Sequence, residues 1–375
     1  MIEVSAPGKL MLSGEWSVLE VDIPCIVLAV NERVYCRIEK SDEIELDAPD
    51  IGIRNLKGEF NGEKLTWKRD LTQNERDKVI LPEKAIEITL RYLQDTEKKL
   101  INFKITTKSD ISQVTLEDGT VTKIGFGSSA AAVVAIVGAI LKFHGFGIIK
   151  KEEKDRIYKL AAIAHYIGQG KVGSAFDIAA STYGGAVVYR RFDPDWLIQE
   201  MGSGEGLNEI IDVEWKAFFA ENIRLPKDFI LCVGWTKTGA STKELIMKIQ
   251  DFKRVNEKKY WEIINSIKDV TERLIVAVKK NDKKKILNLI DKNRTHLKEL
   301  SDLSGSRLET EELTKLIEIS KKFRAAGKFS GAGGGDCGIA VCFDNNTAQE
   351  IKNSWKGAGL YPINIEISKI GLREE

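Results

Sequence analysis

The chain has 375 residues, long enough for two domains and a sizeable core. Its 57 Lys and Arg nearly cancel its 56 Asp and Glu, so no global field draws it to nucleic acid or membrane, and any anion site must be local. Five cysteines without a CxxC spacing and only three histidines argue against a disulfide framework and a zinc site, and lead us to expect a reduced, cytoplasmic protein.

The N-terminus enters a glycine-rich segment at once, with no apolar leader, and no apolar run reaches the ~18 residues of a membrane span. Ile2–Val4 and Pro24–Glu39 are rich in Val, Ile, Tyr and Cys and read as strands around a first glycine loop. Residues 41–82 are polar with scattered Gly and Pro, which reads as a loop or short-hairpin region and a candidate flap. Helical apolar spacing begins at Leu81 and runs to Leu93, and Ile101–Thr107 alternates like a strand. Ser109–Lys123 is a turn-rich approach to a second glycine segment. Helices are predicted near 129–144 and 152–167, another from about Ile178 to Tyr183, and a strand at Ala186–Tyr189.

Asp193–Leu225 mixes Asp, Gly, Glu and Pro with short apolar runs, and the domain boundary is placed there, dividing the chain into 1–225 and 226–375. Beyond it, Phe229–Trp235 reads as a buried strand. Helical spacing follows over Ser241–Lys279, Lys283–Leu300 and Thr310–Ala326, then strand, helix and strand at Ile339–Phe343, Ala348–Trp355 and Ile363–Ile370. This β-α-α-α-β-α-β order suits helices on one face of an antiparallel sheet, and the whole reads as α+β.

Three glycine-rich segments lie far apart: Pro7-Gly8-Lys9-Leu10 with Ser13-Gly14-Glu15, Gly125–Ala131, and Ser330-Gly331-Ala332-Gly333-Gly334-Gly335-Asp336. The middle one runs through Gly127-Ser128-Ser129 into the helix-like Ala130–Leu141, placing free N–H groups and a positive helix end where a phosphate can be held. A hydroxyl of Ser128 or Ser129 can cap that helix, ligate Mg²⁺ or bond a phosphate oxygen. No G-x-x-x-x-G-K-[ST], H-R-D or D-F-G run is present, so a phosphotransferase here is neither a P-loop enzyme nor a protein-kinase relative.

Asp177 sits in an apolar setting, where a carboxylate is costly unless paired; it is either catalytic or a cap for the helix beginning near Ile178. Lys171, in a glycine-rich loop, is either a ligand for an anion or a solvated lysine. His165 reads as a packed helix histidine.

The three segments, in this order, resemble the three motifs of the GHMP kinases, the family of galactokinase and of the homoserine and mevalonate kinases. The resemblance covers nearly the whole chain. Gly168–Asp177, Gly234-Trp235-Thr236 with Ala240-Ser241-Thr242-Lys243, and Gly331–Cys337 look like the branch whose acceptor is phosphomevalonate. The resemblance implies a two-domain fold, with an N-terminal nucleotide-binding domain like domain 2 of ribosomal protein S5, a ferredoxin-like C-terminal domain and the active site between them.

It also implies an ATP- and Mg²⁺-dependent kinase of the mevalonate route to isoprenoids, with small-molecule partners only, as monomer or homodimer. Lys9 and Asp177 would be catalytic. Gly125, Gly127, Ser128, Ser129, Ala130, Gly331, Gly333 and Gly334 would hold the nucleotide, with Ser129 on the metal. Lys9, Lys171, Ser174, Ser241, Thr242 and Gly333 would hold the acceptor. Phe126 replaces the usual leucine, and Ala175 stands where glycine is common. Tyr166 occupies the position at which mevalonate kinases carry a metal-binding glutamate, which argues against mevalonate as acceptor. The alternatives are a family member acting on mevalonate or a related acid, and a sensor of the same fold without turnover.

Overall fold

The computed structural model describes residues 1–110, 113–115, 121–237 and 242–375. β1 (Ile2–Ser13) pairs antiparallel with β2 (Pro24–Lys40), and their apolar runs, Leu10–Leu12 and Cys25–Val30, are buried in the core. Pro7–Leu10, expected as a loop, lies inside β1, where a bulge between Pro7 and Gly8 re-aims the strand. The tight turn comes later, at Gly14 (φ +94°), where a Cβ would stand 2.6 Å from that of Cys25.

Residues 41–82 are no flap. They form β3 (Ile44–Ala48), β4 (Ile53–Phe60), β5 (Leu65–Trp67) and the start of α1 (Gln73–Asp95). Buried Ile44, Leu46 and Ala48 alternate with Glu45 and Asp47, but over too few residues to stand out among the polar neighbours. α1 starts eight residues before Leu81, behind a Thr72–Glu75 capping box, and carries Pro82 inside it.

β6 (Phe103–Ser109) follows, then a hairpin of β7 (Gln113–Thr115) and β8 (Val121–Lys123). α2 (Ser128–Phe143), α3 (Lys151–Gly168) and α4 (Phe176–Tyr183) come next, and α2 lies against both β1 and β2. β9 (Ala186–Arg190), α5 (Pro194–Gly202), α6 (Leu207–Asp212) and β10 (Phe219–Ile223) complete the first half. The sheet runs β10-β9-β2-β6-β3-β4-β5; β2 is long enough to take β1 along one edge and β9, then β6, along the other.

The second sheet is antiparallel. It opens with β11 (Ile230–Trp235), followed by α7 (Thr242–Val255), α8 (Glu257–Lys279), α9 (Lys283–Ser304) and α10 (Glu311–Lys322). The single helix expected over 241–279 is two, broken at Asn256 (φ −137°, ψ 60°). β12 (Ala326–Phe329) escapes the sequence pattern, because its side chains include Gly327 and the buried Lys328. With β13 (Cys337–Cys342), α11 (Asn345–Gly357) and β14 (Tyr361–Ile363), the order β12-β13-β11-β14 results. The strand expected over 363–370 ends at Ile363; the chain then recrosses, Ile367 bridging to Val30 and β15 (Arg373–Glu374) pairing with β1.

Candidate active site

β1 delivers Lys9 to the middle of the molecule, where its N–H donates to the Phe126 carbonyl (2.7 Å) and its Nζ to the Gly125 carbonyl (3.1 Å). The second glycine segment is therefore stitched to the strand that carries the lysine. Buried Ile124 and Phe126 anchor that segment in the core. Gly127 caps α2 in the left-handed region (φ +77°), and a Cβ there would meet Lys9 Cγ at 3.0 Å. Only glycine lets the lysine stem lie across the helix entrance. The first N–H groups of α2 have no intrahelical acceptor, so the helix presents donors at Ser128, Ser129 and Ala130. Ser128 is buried, Ser129 exposed, and Ala130 fully buried, offering only its backbone.

The third segment arrives from β12. Ser330 Oγ accepts the Met11 N–H (2.8 Å) and donates to the Met11 carbonyl (3.0 Å), docking the segment on β1 two residues from Lys9. Gly331, Gly333, Gly334 and Gly335 all have positive φ, a path that other residues would strain to follow. Gly333 presses on the backbone of Leu308, and the Gly334 N–H is committed to the Leu308 carbonyl (2.7 Å). In this conformation Gly334 therefore shapes the turn and offers no free donor for a phosphate, contrary to expectation.

A cleft of about 1190 Å³ opens between these walls. Lys9, Gly125, Gly127, Ser128, Ser129, Ser174, Asp177 and Gly331 all line it. Gly333, Gly334 and Lys171 are not among the lining residues, and Lys171 is exposed with a positive φ (65°). Ser241 lies outside the described residues, as do Thr238 and Gly239; Thr242 begins α7.

Asp177 stands in the first turn of α4, its Oδ1 accepting the Ile178 N–H (3.0 Å) and its Oδ2 lying 3.9 Å from His165 Nε2. Among the described residues no carboxylate comes within 4 Å of the Lys9 ammonium, which instead bonds the Gly125 carbonyl and lies 5.9 Å from the centre of the Phe176 ring. Asp177 and Lys9 thus border one space without neutralising each other.

Sequence reasoning missed three contributors. Asp336 accepts the Gly125 N–H (3.3 Å), and a Cβ on Gly125 would fall 2.0 Å from its Oδ2. Burial pushes its carboxyl pKa above the ordinary aspartate range, partly offset by the Gly125 N–H and Lys9. His165, read as packing, is buried yet lines the cleft with Gln169 Nε2 3.1 Å from its Nε2. Glu15, also lining the cleft, pairs with Lys328 and accepts from Asn293 Nδ2 (3.1 Å). Asp336 and Glu15 stand at the ends of the third and first glycine segments; nothing local marks His165. Tyr166, by contrast, is a core residue packed edge-on against Phe192.

The oxygen donors on the cleft, the Ser129 hydroxyl and the Asp177 and Asp336 carboxylates, are of the hard kind that suits Mg²⁺. Among the described residues no group of three or more His, Cys, Asp or Glu could hold a metal alone, so a cation here would share its ligands with phosphate oxygens. A smaller cavity of about 120 Å³ lies across Ser128 and Ser129, walled by Val34, Ile51, Leu81, Pro82, Ala132 and Ile136 together with Asp50, Lys78, Thr107 and Ser109.

A helix N-terminus, a lysine without a carboxylate in contact among the described residues and an aspartate around one interdomain cleft define a phosphotransferase built on anion binding. The model of the GHMP kinase N-terminal domain matches residues 81–185 and that of the C-terminal domain matches 274–359, together about half of the chain. The chain belongs to the GHMP kinase family, whose members are ATP-dependent phosphotransferases.

A phosphomevalonate kinase of Streptomyces sp. (strain CL190) is 28% identical over 368 residues, covering 96% of this chain and 95% of that protein. A mevalonate kinase of Thermococcus sibiricus is 29% identical over 383 residues, with 99% and 97% covered. The Lin0012 protein of Listeria innocua superposes with a TM-score of 0.89 at 29% identity, covering 100% of this chain and 99% of that one. Phosphomevalonate kinase of Streptococcus pneumoniae, solved with phosphomevalonate and AMPPNP, shares the fold with a TM-score of 0.80 at 24% identity, covering 98% and 100%. Among the described residues no helix is long and apolar enough to cross a membrane.

Proposed function

We propose that this protein transfers the γ-phosphate of ATP to 5-phosphomevalonate, giving 5-diphosphomevalonate and ADP. The observation that carries the chemistry is the meeting of Lys9, the α2 N-terminus and Asp177 on one cleft, with no carboxylate within 4 Å of the Lys9 ammonium among the described residues. The acceptor follows from the similarity to phosphomevalonate kinases over almost the whole chain.

In this reading Gly125, Gly127 and the N–H groups of Ser128, Ser129 and Ala130 hold the triphosphate, Gly331 closes over it, and the base enters the smaller cavity beside Ser129. Ser129 would hold Mg²⁺, which would supply charge neutralisation on the transferring phosphate. Ser174 binds the acceptor, and Lys171, with Ser241 and Thr242 as the resemblance implies, binds its phosphate. Residues 1–225 carry the nucleotide and 226–375 the closing wall.

Phosphoryl transfer asks mainly for alignment and for relief of repulsion between two anions. A phosphate monoester loses its second proton near pH ~6, so at neutral pH the attacking oxygen is already ionised. Lys9 bridges acceptor and γ-phosphate. Asp177 orients the acceptor rather than generating the nucleophile. A coupled ADP-release screen over mevalonate, phosphomevalonate, diphosphomevalonate, galactose and homoserine tests the reading. Turnover confined to phosphomevalonate is expected. Turnover of mevalonate instead, the activity of the Thermococcus relative, would replace it.

A further inference from the structure

Trp16 combines two costs in one residue of the cleft. Its backbone (φ 65°, ψ −44°) is the centre of a γ-turn of the rare, strained hand, closed by the Ser17 N–H on the Glu15 carbonyl (2.7 Å). Its indole is 5% exposed, and Nε1 has no hydrogen-bond partner. An orphan indole N–H is uncommon, since a buried Trp usually finds an acceptor.

The surroundings enforce this conformation. Glu15 is locked by Lys328 and Asn293, the Val18 N–H donates to the Gly14 carbonyl (3.1 Å), and Arg191 clamps the Leu19 carbonyl. Strain so firmly held is a pointer to function. Trp16 lines the same cleft as Lys9, its buried side chain in one apolar cluster with Leu19 and Ile246, and Val18 and Met247 line the cleft as well. Ser174, also on this cleft and 3% exposed, carries a second polar atom without a partner in Oγ. Two orphan polar groups set among branched apolar side chains match a short, branched hydroxy acid: oxygens for the donors, a methyl group for the aliphatic wall.

We propose that the Trp16 indole N–H donates to the carboxylate of the acceptor and makes Trp16 a specificity residue, a reading that rests on the phosphomevalonate assignment above. Ser174 Oγ takes the acceptor hydroxyl. The acid end is then fixed away from Lys9, which leaves the phosphate end at the point of transfer.

The test is a titration of the indole ¹⁵N–¹H signals of the seven tryptophans, with Trp16→Phe identifying the signal of interest and Trp16→Tyr serving if the first variant does not fold. Phosphomevalonate is expected to move that signal downfield, and AMPPNP alone to leave it in place. Trp16→Phe should raise the acceptor KM about tenfold, with the KM for ATP unmoved. In the unmodified protein, a titration in which none of the indole signals responds to saturating acceptor overturns the proposal, as does an unchanged acceptor KM in Trp16→Phe. If the enzyme turns over mevalonate and not phosphomevalonate, the acceptor assignment fails, and the same titration with mevalonate still decides Trp16.

Discussion

Lys328 Nζ donates to Glu15 Oε1, and both side chains are fully buried, one on a strand of the second sheet and the other just beyond the end of β1. The ammonium also bonds the Phe329 carbonyl (2.6 Å), and the carboxylate accepts from Asn293, so the pair is saturated from both domains. β12 continues directly into the third glycine segment, so this couple fixes the height of the closing wall over Lys9. Removing one partner strands the other charge in the interior. Lys328→Met should destabilise the protein by about 3–5 kcal/mol in urea unfolding, and adding Glu15→Gln should restore most of it. Equal stability of the single and double variants would show that the couple carries no such weight.

Lys9 has no carboxylate within 4 Å among the described residues and lines the cleft, with Asp336 its more distant counter-charge. Lys9→Met should lower kcat by about 10²–10³-fold while AMPPNP affinity, which rests on the backbone donors of α2, changes only a few-fold. The comparison is made by titration calorimetry with AMPPNP beside steady-state kinetics. Affinity falling in step with kcat would place Lys9 in nucleotide binding and remove its bridging role.

What can be read in advance follows a physical line. α2, α3 and β9 are legible because apolar periodicity over many residues is a local signal, and the Gly127–Ser129 entrance announces a helix N-terminus. β3 and β4 are legible only as the short-hairpin alternative, because brief amphipathic strands among polar residues look like loop until a partner is known. β12 is hidden by Lys328, whose burial makes sense only with Glu15 across the interface, 313 residues away in sequence. The same holds at the site. Lys9, Glu15, Ser129 and Asp177 lie in recognisable segments, whereas His165 borders the cleft, and Glu15 finds Lys328, through tertiary contacts that no local pattern encodes.

α1 opens with Thr72 accepting the Glu75 N–H (3.3 Å) and Glu75 Oε2 accepting the Thr72 N–H (2.9 Å). Arg69 and these Thr72 contacts pull the Glu75 carboxyl down to about 2 from the usual 4.5. A depressed carboxyl favours the folded state above its unfolded pKa, and that contribution fades as pH falls from about 4.5 toward about 2. Glu75→Gln should therefore lose stability at pH 7 and show a shallower decline than the parent across that window. Thr72→Ala should cost about 1 kcal/mol at neutral pH. Parallel acid limbs of parent and Glu75→Gln in denaturant titrations would refute the capping assignment.

Asp177 offers the sharpest test of the proposed chemistry, because two roles for it predict different pH profiles. A base that removes a proton from the acceptor would impose its own ionisation on kcat, and Asp177→Asn would erase that limb. An acceptor that arrives as a phosphate monoester brings its own ionisation near pH ~6, which belongs to the substrate and survives the substitution. Asp177 is placed for orientation: it is fixed through the Ile178 N–H on the first turn of α4, facing the cleft with His165 3.9 Å away. The expected outcome is a lower kcat at every pH with the acidic limb retained, together with a raised acceptor KM. A kcat profile in Asp177→Asn that becomes flat across the two pH units or so around pH ~6 would assign Asp177 as the base and end the positioning account. His165→Asn, which disturbs only the neighbour of Asp177, should then move kcat by less than about tenfold and leave the same limb in place.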